Sequence, residues 1–372
     1  MTFSTPFLAA ISGLYSRVPK GWTAGVDLYA RARAGRRRPG RLDVMTSYGG
    51  RDLDVVQVLL QSLSETHAQD HIMFWLLELR VPAADIQALS RFCDQLPNVT
   101  LNVIKVTDRE VFDQLRKLGG KPDSARFLWL AAHRHLPADL DRVIYLDALD
   151  IIVADDLKPM MRHPFMGKYL VACRELVHLP PVLIGPAQRA HQRWAPDALI
   201  RQVSRGIINS GSIVVNLAAM RRDDLNMGQY LKAAEWASGQ GLGFGDQGLF
   251  SLTHGSHYAR AHDRYNHRFF SETDGRVRAT RRPAVIHYAG RVPKPTRWHL
   301  TPDLERAISD HLVRRGESEL VLGRVTRIRP ADFPYFRRWW DTCARTPCHA
   351  RIAPLATERT LRTLETLGVR TG

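Results

Sequence analysis

The stretch Arg142-Val-Ile-Tyr-Leu-Asp-Ala-Leu-Asp-Ile-Ile-Val153 carries an apolar run into two aspartates, Asp147 and Asp150, and returns at once to apolar residues. A run of this composition is a buried strand, and carboxylates at its end are expensive unless they are paired or bound to a metal. Two of them at a strand's carboxyl end suit Mg²⁺ or Mn²⁺, which in turn binds a diphosphate and neutralises charge on a leaving phosphate. The alternative is that Asp147 caps a turn and Asp150 is solvated.

Upstream of this stretch, strand and helix patterns alternate. Residues 42–46 read as a strand ending in the turn-prone Ser47-Tyr48-Gly49-Gly50, and residues 53–63 place apolar side chains at helical spacing. Strands are expected at 71–79, 100–106 and 142–145, and helices at 86–96 and 124–135. This order predicts an α/β fold of Rossmann-like, nucleotide-binding type with a mostly parallel sheet, in which ligands meet the carboxyl ends of the strands. Ser47 and Asp147 belong at that edge. Residues 151–300 continue with mixed elements, including strand-like 212–217 and 284–288.

Composition bounds the rest. The 372 residues hold 53 Lys and Arg against 37 Asp and Glu, a net charge of +16, which favours an anionic partner such as a phosphorylated ligand, an acidic membrane or nucleic acid. The four cysteines (Cys93, Cys173, Cys343 and Cys348) form no C-x-x-C pair, so neither a cysteine zinc site nor a disulfide scaffold is expected, and a reducing cytoplasm fits them. The apolar residues 7–15 are too few to span a bilayer and follow no basic residue. Residues 1–41 form a basic N-terminal extension, with the linker-like run Gly35-Arg-Arg-Arg-Pro-Gly40. Residues 301–372 form a C-terminal extension, expected to be helical though with weaker order signals, including the aromatic and basic cluster Phe333-Pro-Tyr-Phe-Arg-Arg-Trp-Trp340. That cluster either faces a membrane or an acceptor, or belongs to a helix that packs its tryptophans inward.

Beyond the aspartates, His287 closes a strand-like run and is followed by small residues. A neutral imidazole is a suitable third ligand beside two carboxylates. Gly290 allows close backbone approach to a phosphate, and Lys294 supplies a point charge. Arg126 lies within an apolar segment and needs an anionic partner or an escape to solvent. Asn209 and the pair Asp246-Gln247 are suited to sugar hydroxyls, whose stereochemistry buried polar groups discriminate.

Taken in order, these segments resemble glycosyltransferase family 8, the retaining transferases that include bacterial lipopolysaccharide galactosyl- and glucosyltransferases. The matching blocks are Thr46-Ser47 with Leu59-Leu-Gln-Ser-Leu63, Ser124-Ala-Arg126-Phe-Leu, Tyr145-Leu-Asp147-Ala-Leu-Asp150, Ile208-Asn209-Ser-Gly211-Ser-Ile-Val-Val-Asn216, Asp246-Gln247, Tyr265-Asn266, and Ile286-His287-Tyr-Ala-Gly290 with Lys294-Pro295 and Trp298. They cover residues 42–300, and the resemblance implies a GT-A fold over that span. It also implies a UDP-sugar donor, a Mn²⁺ or Mg²⁺ held by Asp147, Asp150 and His287, and donor contacts from Thr46, Ser47, Tyr48, Arg126, Asp147, Gly290 and Lys294. The reacting groups it implies are Asn209, Asp246 and Gln247, with Gln247 near the reacting carbon. A hexose, galactose or glucose, would pass to a glycan or lipid-linked acceptor at the cytoplasmic face of a membrane.

Two departures accompany the resemblance. The family usually leaves one residue between its metal aspartates; here Ala148 and Leu149 intervene, so that either the loop holds an extra residue or a neighbour such as Asp156 is recruited. Where the family often has an acid for the nucleobase, this chain has Tyr48, whose ring could stack on a base instead. Competing readings are a nucleic-acid or anionic-surface binder without catalysis, for which no recognised module is evident, and another metal-dependent hydrolase using the aspartate pair.

Overall fold

The computed structural model describes residues 25–28, 40–175, 208–241, 243–255, 257–269, 282–324 and 326–371. Most of the basic extension, including residues 7–15 and the arginines at 36–38, lies outside these residues.

The chain forms an α/β fold around a seven-stranded, mostly parallel sheet of order β3-β2-β1-β4-β7-β6-β8. The strands are β1 (Arg41–Gly49), β2 (His71–Leu79), β3 (Val99–Lys105), β4 (Arg142–Leu146), β6 (Leu170–Arg174), β7 (Ile208–Asn216) and β8 (Tyr258–Arg260). β1 pairs in parallel with β2 and β4, whereas β7 runs antiparallel between β4 and β6. β1 is buried along nearly its whole length, as a central strand covered on both faces must be, while the edge strand β3 is only half covered. Strand order reverses between β1 and β4, and such a switch point opens a crevice at the carboxyl edge. The register Met45↔Tyr145 brings Ser47 and Asp147 level there.

Helices cover both faces. α1 (Val56–Thr66) and α2 (Ala83–Cys93) bury Leu59, Leu60, Leu63, Leu89 and Phe92 against one face. On the other, α3 (Arg109–Gly119), α4 (Met227–Gly239) and α5 (Asp246–His254) pack Phe112, Leu115, Tyr230, Leu249 and Phe250. The segment expected as one helix over 124–135 is instead a 3-10 run over Ala125–Ala131 followed by a single α-turn, Ala132–His135. Six of the seven residues of the 3-10 run are buried, Arg126 being the exception. A segment enclosed on nearly every side has no polar face for a regular amphipathic helix to present.

A separate ribbon decides where the site lies. β5 (Ile151–Val153) pairs antiparallel with β9 (Val285–His287), with Ile151 opposite His287. This pairing brings the aspartate loop and the histidine together from distant parts of the chain.

The expectation of weak order after residue 300 is corrected. α6 (Pro302–Arg315), α7 (Phe333–Cys343) and α8 (His349–Thr366) share one core cluster with Val58, Ile152, Ile286, Tyr288 and Trp298, which all precede residue 301. Arg351 pairs with Asp54, and Arg345 with Glu65, fastening this C-terminal segment to the turn before α1 and to the end of α1. Within the aromatic cluster, Phe333, Phe336, Trp339 and Trp340 are all buried, and Trp340 donates its indole N–H to the Trp298 carbonyl at 3.0 Å. Those rings are core, as in the inward-packing alternative, while Arg337 and Arg338 face outward. The four cysteines are buried and unbridged, and no helix among the described residues is long and apolar enough to cross a membrane.

Trp339→Ala is expected to lower stability by about 3–5 kcal/mol, since it empties a fully enclosed site. Arg362→Ala, on the exposed side of α8, should change it by less than about 0.5 kcal/mol. Urea unfolding of the two variants checks the contrast.

Candidate active site

Asp147 leaves β4 at the crevice, and its backbone N–H donates to the Gly211 carbonyl at 2.9 Å. The Tyr145 hydroxyl donates to Asp147 Oδ1 at 2.8 Å and lies 3.3 Å from Ser47 Oγ. The Asp147 side chain is 39% exposed, so a ligand can reach it. Its carboxyl is nevertheless raised to about 7, first by its partial removal from water and then by the negative charges of Asp150 and Asp246.

His287 approaches from β9, with Nε2 3.8 Å from Asp147 Oδ2. Burial, with Lys294 and Arg268 nearby, holds the imidazole pKa well below its ordinary value, so it is neutral at physiological pH. The ring lies against the Gly211 backbone: a Cβ at that position would come within 2.1 Å of His287 Cε1. Only glycine at 211 leaves the imidazole its place.

The third expected ligand is placed differently. The Asp150 carboxylate pairs with the Lys294 ammonium, which also donates to the Tyr288 carbonyl at 3.0 Å. Leu149, one of the two intervening residues, is exposed at the turn. Asp156, the suggested substitute, is occupied elsewhere: its Oδ1 accepts from the Lys158 N–H at 2.8 Å and lies 3.9 Å from His67. Among the described residues, no three His, Cys, Asp or Glu side chains converge to hold a metal as they stand. Carboxylate and imidazole donors are nonetheless of the kind that Mn²⁺ and Mg²⁺ accept, and Asp147 Oδ2 and His287 Nε2 lie 3.8 Å apart.

A second group of side chains lies alongside. Asp246, first residue of α5, accepts at Oδ2 from the Trp129 indole N–H at 2.9 Å and the Ser210 hydroxyl at 2.7 Å. Gln247 accepts from the Ser210 N–H at 3.4 Å and donates to Glu175 at 3.5 Å, while Asn209 donates to the same Glu175 oxygen at 2.8 Å. Arg268 pairs with Glu175, and burial pulls its pKa down to about 10. Arg126 lies beside Gly245 at the start of α5, and its Nε is buried with no partner, as an arginine awaiting an anion would be. The expected Arg126, Asn209, Asp246 and Gln247 are thus brought together around α5 and β7. Glu175 was not anticipated, although an acid directly after the apolar strand Leu170–Arg174 was a signal of the same kind as Asp147.

The first strand contributes less than expected. Thr46 is fully buried, its hydroxyl donating to the Leu146 carbonyl at 2.7 Å. Tyr48 is buried among core side chains, and its hydroxyl donates to the carbonyls of Arg51 and Asp52 at 2.8 and 3.0 Å, so its ring is not offered for stacking. Ser47 reaches the site only through Tyr145. Gly290 has a positive φ of 90°, with open space where a Cβ would stand. A cavity of about 330 Å³ opens at the ends of β1 and β2, lined by Gly49, Arg80, Arg116, Asp123 and Ser124 among others.

Gly211→Ala forces the imidazole out of its slot and should cost about 1–3 kcal/mol by overpacking, measured by chemical denaturation. Asp147 supplies a pH test. Its folded-state pKa of about 7 lies above its ordinary 3.8, so between these values the folded protein binds the extra proton and stability falls as pH rises. The metal-free thermal midpoint should therefore carry a downward contribution across that window, and Asp147→Asn should remove it; an unchanged profile in the variant would contradict the assignment.

The sequence model of glycosyl transferase family 8 matches residues 41–300, well over half of the chain. Among solved structures, an active-site mutant of LgtC aligns at 21% identity and TM-score 0.52, covering 68% of this chain and 89% of that one. The galactosyltransferase LgtC in complex with donor and acceptor sugar analogs aligns at 18% identity and TM-score 0.51, covering 75% and 98%. The bifunctional glycosyltransferase WbbM aligns at 15% identity and TM-score 0.55, covering 85% of this chain and 52% of that one. No curated protein sequence matches the chain. At these identities the structural likeness speaks to the fold, which is of GT-A type; with the family match across the whole crevice, it follows that this chain is a glycosyltransferase and belongs to glycosyl transferase family 8.

Proposed function

We propose that this protein is a retaining hexosyltransferase that moves galactose or glucose from a UDP-sugar to a glycan or lipid-linked acceptor at the cytoplasmic face of a membrane. The observation that carries the reading is the approach of Asp147 and His287 to 3.8 Å, from segments far apart in sequence, at the carboxyl edge of the sheet. A raised carboxyl and a neutral imidazole side by side form a place for a divalent cation, Mn²⁺ or Mg²⁺. Asp147 and His287 would hold it, with Asp150 completing the set on release from Lys294. When bound, the cation neutralises charge on the leaving diphosphate. Lys294 and Arg126 supply further positive charge on that side, and the cavity beside Gly49 and Asp123 gives the nucleoside a seat. The surplus of basic residues suits an anionic membrane surface as the place of action.

The polar groups favour front-face transfer. Asp246 has one carboxylate oxygen fixed by Trp129 and Ser210, and Gln247 is an amide, so neither is a ready nucleophile for a double displacement. The acceptor hydroxyl instead attacks the anomeric carbon as its bond to the phosphate oxygen breaks, and the hydroxyl proton passes to the departing diphosphate. Asn209 and Gln247 orient the sugar.

Thermal shift against a panel of nucleotide sugars tests this. With Mn²⁺ present, UDP-galactose or UDP-glucose at 100 times its Kd should stabilise the protein by about 2.7 kcal/mol. Asp147→Asn should lose the metal-dependent part. Absence of a response to every nucleotide sugar, with and without metal, would contradict the proposal.

A further inference from the structure

Glu175, Asn209, Asn266 and His287 form a hydrogen-bonded chain whose direction is fixed at both ends. The Glu175 carboxylate, ion-paired with Arg268, accepts, so the end of Asn209 that lies 2.8 Å from it is the amide nitrogen. The backbone N–H of Gly211 can only donate, and it lies 3.2 Å from the other end of the same side chain, which is therefore the carbonyl oxygen. Two independent fixed partners give Asn209 one orientation.

That orientation propagates. Asn209 Oδ1 can only accept, so Asn266 presents its nitrogen to it at 2.8 Å; the same nitrogen also faces the Asn209 backbone carbonyl at 3.3 Å, another pure acceptor. Asn266 Oδ1 is then the atom 2.9 Å from His287 Nδ1, and as an acceptor it requires the hydrogen to reside on Nδ1. A neutral imidazole carries one N–H. Its Nε2 is left bare, and this is the atom 3.8 Å from Asp147 Oδ2. Two lone-pair atoms facing each other repel unless a proton or a cation stands between them. All four side chains are at most lightly exposed, so water does not scramble the chain: Asn209, Asn266 and His287 are 6%, 2% and 3% exposed, and Glu175 keeps 12% of its side chain open.

We infer that Asn266 is a positioning residue, held in register by Asn209 and Glu175, that fixes His287 as its Nδ1–H tautomer and so keeps Nε2 bare for a divalent cation shared with Asp147. Outer partners of this kind set the tautomer of metal-binding histidines, and their loss typically weakens metal affinity about 10- to 100-fold. The inference rests on the cation reading above, but its tautomer half stands without it.

The test is nitrogen-15 NMR of the full chain labelled at histidine, with His287 assigned by loss of its signals in His287→Gln. In metal-free wild type the expected spectrum shows a protonated Nδ1 and a bare Nε2 at His287. The opposite tautomer, or a rapidly exchanging mixture, overturns the inference without the need of any variant. In Asn266→Ala the proton should shift toward Nε2, and Mn²⁺ affinity, titrated by calorimetry, should fall about 10- to 100-fold. An unchanged tautomer in that variant overturns the role of Asn266. Should wild type show the expected tautomer while added Mn²⁺ leaves the His287 signals sharp, the cation reading of the site fails and, with it, the purpose assigned to the tautomer; the opposite tautomer with Mn²⁺ broadening would sink the relay alone.

Discussion

A carboxylate and an imidazole meet across a single glycine, and the site is organised by that meeting. Asp147 is tethered to the Gly211 carbonyl through its backbone, and His287 fills the space that the absent Gly211 side chain leaves. Neither group is comfortable alone. The carboxyl is raised by its surroundings and the imidazole is held neutral by burial, which leaves two electron-rich atoms 3.8 Å apart that a shared proton or a cation would reconcile. The Gly211 N–H also orients Asn209, so one glycine in β7 fixes the carboxylate, the imidazole and the amide that connects them to Glu175.

The fold supplies this contact by two devices. The parallel half of the sheet ends at the β1–β4 switch point, where any α/β sheet of this order presents loops to a ligand. The β5–β9 ribbon then carries residues near 150 and residues near 287 to the same edge, and the C-terminal helices bury the far side of that ribbon through Ile152, Ile286 and Tyr288. The C-terminal residues thus support the site from behind. Their tryptophans belong to the core under the ribbon, and their arginines secure them to α1.

Much of this was legible in the chain. Strands buried on both faces are long apolar runs, and 71–79 matched β2 residue for residue. The aspartate stretch, the Asn-Ser-Gly segment and His287 all announced themselves as polar groups interrupting apolar runs. Less legible was anything set by tertiary contact. Asp150 lies next to the right elements, but the two-residue step from Asp147 leaves it on Lys294. Tyr48 and Thr46 end an apolar strand, yet nearby carbonyls capture their hydroxyls. The C-terminal segment read as helical in outline, but the bounds of its helices did not, because most of their surface is charged; α6, for example, buries only Leu304, Ile308, His311 and Leu312. Helix α3 likewise buries only Phe112, Leu115 and Gly119 beneath a charged surface. Glu175 had a local signal, an acid directly after an apolar strand, and Asn266 stood in a matching block, but what each of them holds is set by partners distant in sequence.

Anomalous diffraction from crystals grown with Mn²⁺ and a UDP-sugar addresses the meeting of Asp147 and His287 most directly. A single manganese peak within coordination distance of Asp147 Oδ2 and His287 Nε2, and bridging to the diphosphate, is the expected result. A bound UDP-sugar with the metal absent from that gap, or coordinated by side chains other than these two, would contradict it.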